Sequence, residues 1–273
     1  MISERLRTLR RDLREASRAA LPPGLEGVPE SVARHFVNLG GYEVAWFLRR
    51  LTPAPGRVLV VGVGTGRDYY FLGLENEVVA TDLVPQDSVP DVVIADFAQE
   101  LPFADESFDA VVVADVLEHV FDDRRALLNC RRVLKPDGVF VLNVPYGDDI
   151  GDHHVRVYTR ATLHRLLQSV GFRVEREVER GPLAHLDRYA PWRALFHGSH
   201  LLRWIVTGDP GYERSLRRLV AIDWWFGSRR WAPTKFTKRH GAYIRAVKGA
   251  STDYTEVNRE LYVDQGRSQM TEI

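Results

Sequence analysis

Apolar positions change their spacing several times along this chain, and each change marks an element. Over residues 2–20, Ile2, Leu6, Leu9, Leu13, Ala16 and Ala20 recur at four- and three-residue steps. That is one stripe of an amphipathic helix, stopped by Pro22-Pro23. Residues 31–51 predict two helical pieces hinged at Gly40-Gly41, with Val32, Phe36 and Leu39 before the hinge and Val44, Phe47, Leu48 and Leu51 after it. Pro53 and Pro55 end the second piece. The period then collapses. Val58-Leu59-Val60-Val61 is a continuous run, as expected of a strand buried on both faces. Further strands are predicted at Val78–Ala80, Val92–Ala95, Ala110–Ala114, Val139–Val144 and Phe172–Val178, with helical patterns through 69–72, after 115 (where Glu118 and His119 fall on a first turn), over 124–134 and over 160–170. Residues 193–206 and 212–227 read as two helices parted by Thr207-Gly208-Asp209-Pro210-Gly211, and 241–248 as a last strand. Residues 250–273 are polar and read as a surface tail.

Composition adds bounds. At 273 residues the chain can bury one large core, or one core and a small cap. Its 45% hydrophobic and 27% charged content is that of a soluble globular protein. The single cysteine, Cys130 in LLNCRRVL, falls on an apolar stripe and reads as a buried structural thiol. No apolar run reaches membrane-spanning length, and the N-terminal arginines alternate with Glu4, Asp12 and Glu15, so a cytoplasmic location is expected. The zero net charge hides a polarised chain. Residues 58–180 hold 12 Lys+Arg against 22 Asp+Glu, whereas 181–249 hold 13 against 4 and five of the six tryptophans.

The first candidate chemistry lies between the strand at 58–61 and the helical pattern after it. Gly62, Gly64 and Gly66 form a tight backbone turn there, which lets a ligand approach the main chain. Asp82, at the tip of the next strand, can bind a ribose diol. Two cofactor classes use such an arrangement. A dinucleotide fingerprint needs glycine or a small residue at 67, where Arg67 stands and would obstruct the pyrophosphate; Asp82 alone fits either class.

Four stretches then occur in order: VLVVGVGTG at 58–66, ATDL at 80–83, IADFAQELPFADESFDAVVVADVLEHV at 94–120 and RRVLKPDGVFVLNVP at 131–145. Together they resemble the class I S-adenosylmethionine-dependent methyltransferases of small-molecule acceptor type, strongly from Val58 to Val144 and more weakly to roughly residue 180. The resemblance implies an α/β fold, a doubly wound, seven-stranded, mostly parallel sheet with N-terminal helices and a helical cap inserted between strands six and seven. It implies an N-terminal helical region over 1–56, a cofactor-binding core over 57–180, a basic, Trp-rich cap over 181–240, a final core strand at 241–249 and a tail over 250–273. The implied cofactor is S-adenosyl-L-methionine, held by Val61, Gly62, Gly64, Thr65, Gly66, Asp82, Leu83 and Asp115, with Asp96 and Phe97 on the adenine. Tyr42 and Trp46 lie on helices that cover the cofactor site in this family and are candidates to touch cofactor or acceptor, or else plain core aromatics. One position departs from the pattern. The family commonly has an acid where this chain has Val60, and Asp68 is either a replacement charge or a solvent-facing first-turn acid.

Methyl transfer from a sulfonium is an in-line displacement that requires alignment, exclusion of water and, for a hydroxyl acceptor, loss of a proton. The candidate bases are His154 and its neighbour His153, in the loop PYGDDIGDHHVRVYT, whose HHVRVYT piece is similar to a family loop beside the acceptor pocket, and His119, which matches a histidine usual in the LEH motif and often structural there. Asp148, Asp149, Asp152, His153 and His154 read as an acidic solvated loop, and no metal is expected. O-methylation of a sugar, polyketide or lipid-linked small molecule is the leading activity. N-methylation of a small molecule and a cofactor-binding scaffold without activity are the alternatives. A nucleic-acid substrate is disfavoured, because ADVLEH stands where an N-P-P-Y-type motif would follow strand four. The cap suggests a homodimer contact or peripheral contact with a membrane surface, through Leu216, Leu219 and Val220 with Arg214, Arg217 and Arg218.

Overall fold

A computed structural model describes residues 21–147, 153–184, 186, 189–209, 211–229 and 240–257. The stripe at 2–20, the acidic residues 148–152 and Trp231 lie outside the described residues. The elements in chain order are α1 (Glu30–Ala33), a 3₁₀ turn (Arg34–Phe36), α2 (Leu39–Leu51), β1 (Arg57–Val61), α3 (Arg67–Leu72), β2 (Glu77–Asp82), β3 (Val93–Ile94), β4 (Phe108–Ala114), a 3₁₀ turn (Leu117–His119), α4 (Asp123–Val133), β5 (Leu134–Tyr146), α5 (Arg160–Ser169), β6 (Phe172–Glu179), α6 (Ala190–Thr207), α7 (Tyr212–Ser228) and β7 (His240–Lys248).

The seven strands form one sheet in the order β3-β2-β1-β4-β5-β7-β6. All pairs are parallel except those of β7, which runs antiparallel to β5 and β6. The continuous apolar runs follow from this layering. Val58 and Val60 point into a core shared with α2, α3 and α7, while Leu59 and Val61 point into the opposite core, shared with α4 and α5. Every residue of β1 after Arg57 is therefore buried, whichever face it takes. Cys130 sits fully buried in that second core, its thiol pushed up to about 12 by burial.

Two local expectations are corrected. The helical break is at Val37-Asn38, ahead of Gly40-Gly41, which lie in the first turn of α2. Asn38 caps that helix by accepting from Gly41 N at 2.7 Å, and a Cβ on Gly41 would stand 2.6 Å from the His35 carbonyl oxygen. Gly41 is thus required by close packing and not by hinging. Glu118 and His119 lie on a 3₁₀ turn, whereas α4 starts only at Asp123, capped by Asp122.

The segment between β6 and β7 divides into two unlike helices. On α7, Leu216, Val220 and Trp224 are buried against α2 and β6, so the Leu216–Val220 stripe faces the sheet and offers nothing to a membrane. Trp224 meets Phe47 edge-on with ring centroids 4.9 Å apart, and the Arg176 guanidinium lies 4.7 Å from its ring centroid. On α6, Phe196 and His200 turn inward to Tyr212, while Leu195, Leu202, Ile205 and Val206 are exposed. No described helix is long and apolar enough to cross a membrane.

Candidate functional site

The carboxyl ends of β1, β2 and β4 open onto a cleft of about 650 Å³. Ligands of open α/β sheets bind at this edge. The chain leaves β1 at Val61 and turns back at once, because Gly62 N and Val63 N both donate to the Thr81 carbonyl oxygen, at 2.8 and 3.2 Å. Gly62 has φ of 70°, and a Cβ there would stand 2.4 Å from Val116, so β4's tip closes over the turn only with glycine present. Gly64, with φ of 49°, is the opposite case. Nothing lies within 4 Å of where its Cβ would be, and its main chain faces open space.

Asp82 is fixed before any ligand arrives. Its Oδ2 accepts from Gly64 N at 2.9 Å and its Oδ1 from Leu83 N at 2.8 Å, which leaves a second lone pair on each oxygen directed elsewhere. Asp96 is held the same way, accepting from Ala98 N at 2.9 Å and from the Gln99 side chain at 3.0 Å. Val61, Gly62, Gly64, Asp82, Leu83, Asp96, Phe97, Asp115 and His119 all line the one cleft. Thr65 and Gly66 stand behind it. The Thr65 hydroxyl is 2.9 Å from His35 Nε2, and Gly66 packs on Val89. Val116, Phe121 and Gln86 also line the cleft without having been singled out in the sequence, since apolar or amide residues on loops carry no pattern. Tyr42 and Trp46 do not line it. Tyr42 is buried edge-on to Phe71, and Trp46 packs edge-on to Trp224.

From the wall of the cleft a network of charged side chains runs inward. Asp115, with φ of 53° at the end of β4, accepts from Asn143 Nδ2 at 3.1 Å and from Arg180 at 3.2 Å, and Arg67 approaches it to 3.8 Å. Arg67 turns inward and pairs with both oxygens of Asp68, at 2.7 and 2.8 Å. Asp68 is therefore neither solvent-facing nor a free replacement charge for the acid missing at Val60. Farther in, Glu43 accepts from the Tyr243 hydroxyl at 3.1 Å, and Asp223 accepts from Leu183 N and Ala184 N at 2.9 and 2.8 Å. Burial, and then the Asp223 charge, push the Glu43 carboxyl well above its ordinary value.

At the other end of the cleft stand Glu118, His119 and His154. The Glu118 carbonyl oxygen accepts from Val155 N and Arg156 N, at 2.9 and 3.1 Å, which staples the 153–156 loop to the 117–119 turn. His119 Nδ1 lies 3.0 Å from the His153 carbonyl oxygen, and the His119 and His154 rings meet edge-on at 4.8 Å. Burial and the neighbouring His119 lower His154 below the usual imidazole value. Burial, and then Asp115, push the Glu118 carboxyl up to about 8. His153 contributes its carbonyl to the cluster, and the residue is exposed.

A protein-family model described as a methyltransferase domain matches residues 59–142. The chain is 42% identical over 182 residues to the demethylmenaquinone methyltransferase of Renibacterium salmoninarum, a match covering 62% of this chain and 73% of that protein. It is 39% identical over 135 residues to the probable S-adenosylmethionine-dependent methyltransferase of Mycolicibacterium smegmatis, covering 46% of this chain and 47% of the relative, so it spans about half that relative's length. Among solved structures, the 1,6-didemethyltoxoflavin-N1-methyltransferase of Burkholderia thailandensis, crystallised with 1,6-didemethyltoxoflavin and S-adenosylhomocysteine, shares the fold at TM-score 0.50 and 19% identity, over 77% of this chain and 78% of that one. The [4+2]-cyclase SpnF does so at TM-score 0.51 and 19% identity, over 77% and 82%.

Proposed function

The chain belongs to the class I S-adenosylmethionine-dependent methyltransferases, and from that premise we propose that it methylates a hydroxyl group of a small-molecule acceptor of sugar, polyketide or lipid-linked type. S-adenosylmethionine is the methyl donor of the family, and when bound it supplies a methyl group already activated by the sulfonium. The observation that carries the reading is one cleft with Asp82 anchored on the glycine loop at one end and His119 at the other. The residues present fit the cofactor, because Gly64 leaves its main chain open and the carboxylates of Asp82 and Asp96 are oriented with lone pairs to spare.

In this reading Asp82 accepts from the ribose hydroxyls, and Asp96 accepts from the adenine amino group. Val61, Leu83 and Phe97 form apolar walls, and the main chain of Gly62 and Gly64 lies against the ligand. Thr65 and Gly66 shape the loop from behind. We assign the charge missing at Val60 to Asp115, which faces the cleft while Arg67 and Arg180 fix it from behind. The Glu118–His119–His154 cluster, with His153 orienting His119 through its carbonyl, receives the acceptor and takes its proton. Residues 181–229 close the acceptor end, a placement supported by Arg180, which leads into that segment and reaches Asp115.

The test is transfer of a labelled methyl group from S-adenosylmethionine to a panel of hydroxyl, amine and nucleic-acid acceptors. Label on a hydroxyl compound is expected. Label confined to amines would replace the reaction class, and no label on any acceptor beside normal cofactor binding would favour a cofactor-binding scaffold.

A further inference from the structure

The Glu118–His119–His154 cluster has a composition that proton transfer alone does not require. One side-chain oxygen of Glu118 and one nitrogen of each histidine all lie within 4.8 Å of one another. Ligands of a tetrahedral zinc ion about 2.0–2.2 Å from the metal lie somewhat closer together than this, so modest side-chain rotation brings the set to bonding distance. Glu118 is only 2% exposed, yet its Oε2 has no hydrogen-bond partner among the described residues. A buried acceptor left without a partner is costly, and such an atom marks a place where an ion or a donor belongs.

Three features prepare the cluster for a cation. The 153–156 loop is tied to the Glu118 carbonyl by two backbone hydrogen bonds, so His154 is positioned relative to Glu118 by the main chain. His119 Nδ1 faces the His153 carbonyl at 3.0 Å, the arrangement that fixes the tautomer of a metal-bound imidazole and leaves Nε2 as the donor atom. The positive charge of Arg180, which acts on Glu118, is taken up by Asp115 at 3.2 Å.

We propose that Glu118, His119 and His154 bind a divalent transition-metal cation of zinc type at the edge of the cofactor cleft. Two histidines and one carboxylate make a three-ligand set that leaves coordination open, the pattern of sites that take a substrate oxygen. His119 lines the cleft, so the open position faces the space next to the cofactor. With the cation bound, these side chains hold the metal and the acceptor hydroxyl would lose its proton to solvent; that role rests on the methyltransferase reading above, whereas binding of the cation does not.

The experiment is titration of the tag-free, chelator-treated chain with Co²⁺ and Zn²⁺, read by calorimetry and by the visible absorption of bound Co²⁺. One Co²⁺ per chain is expected, with the intense bands of a low-coordinate site, displaced by Zn²⁺. His119→Asn and His154→Asn should each lower affinity about a hundredfold or more, and Glu118→Gln about 10–100-fold. His119 is exposed, so His119→Asn tests the site even if Glu118→Gln fails to fold. Absence of stoichiometric Co²⁺ binding, or binding unchanged in folded His119→Asn and His154→Asn, would overturn the proposal. S-adenosylhomocysteine binding, measured on the same samples, separates the two readings. A chain that binds it but no Co²⁺ loses only the metal site; a chain that binds Co²⁺ but not the nucleoside loses the methyltransferase placement.

Discussion

The cleft at the carboxyl edge of the sheet and the helical segment between β6 and β7 are built by different means. The cleft is a backbone construction. Asp82 and Asp96 are held by main-chain N–H groups or near neighbours, and the glycine loop closes through two bonds to one carbonyl. The segment over 181–229 is held by side chains far apart in sequence: Trp224 against Phe47 and Arg176, and Asp223 under the 183–184 turn. A backbone-built site tolerates change nearby so long as its turn survives. A site closed by side-chain packing depends on single large residues, and this contrast decides which substitutions should matter where.

The largest effect is expected at Trp224. Trp224→Ala removes an aromatic ring that is 8% exposed and shared by α2, α7 and β6, and should lower unfolding free energy by about 3–5 kcal/mol in urea titrations. Removal of residues 193–230 as a block is a poorer probe, because it strips the same core along with any contact to the acceptor. Loss of stability below about 1 kcal/mol would mean that α7 is an appendage and not part of the layer. His154→Ala comes next. It should reduce turnover roughly a hundredfold while cofactor affinity stays unchanged, if the residue serves the acceptor as proposed. Equal losses in cofactor affinity would move it into the cofactor site.

The smallest effect concerns His35, which joins the N-terminal segment to the glycine loop through Thr65. Burial, and then the charges of Arg67 and Arg34, lower its pKa to about 4 from 6.5. The unfolded chain takes up a proton below about pH 6.5 while the folded chain does not until about pH 4. Its contribution to stability is therefore complete above about pH 6.5 and is lost as the pH falls towards 4. His35→Asn should flatten the thermal-midpoint profile across that window; an unchanged slope would assign the acid sensitivity to other groups.

What was legible in the sequence follows the same division. The glycine loop, Asp82 and Asp96 each sit where a short apolar run stops, and such changes of period are local. Gly40-Gly41 misled because a glycine pair reads as flexibility, whereas Gly41 answers to the His35 carbonyl. The two helices after β6 both show apolar stripes, and no pattern says that the stripe of α7 faces the sheet while Leu195, Leu202, Ile205 and Val206 of α6 face outward. Glu118 was legible only as a helix-turn residue beside its histidine, because its partner loop is tied on by backbone hydrogen bonds from Val155 and Arg156, 37 and 38 residues away, that no side-chain pattern encodes. The inward turn of Arg67 onto Asp68 and Asp115 is likewise a property of the packed network.

The central claim, that the cleft over the glycine loop holds the cofactor through Asp82, is tested most directly by calorimetry of S-adenosylhomocysteine binding to the native chain and to Asp82→Ala. The native chain should bind one molecule, and the variant, still folded, should bind it more weakly by about 1.5–3 kcal/mol, or roughly 10–150-fold. Equal affinity in the two proteins, or tighter binding of a nicotinamide dinucleotide to the native chain, would contradict it.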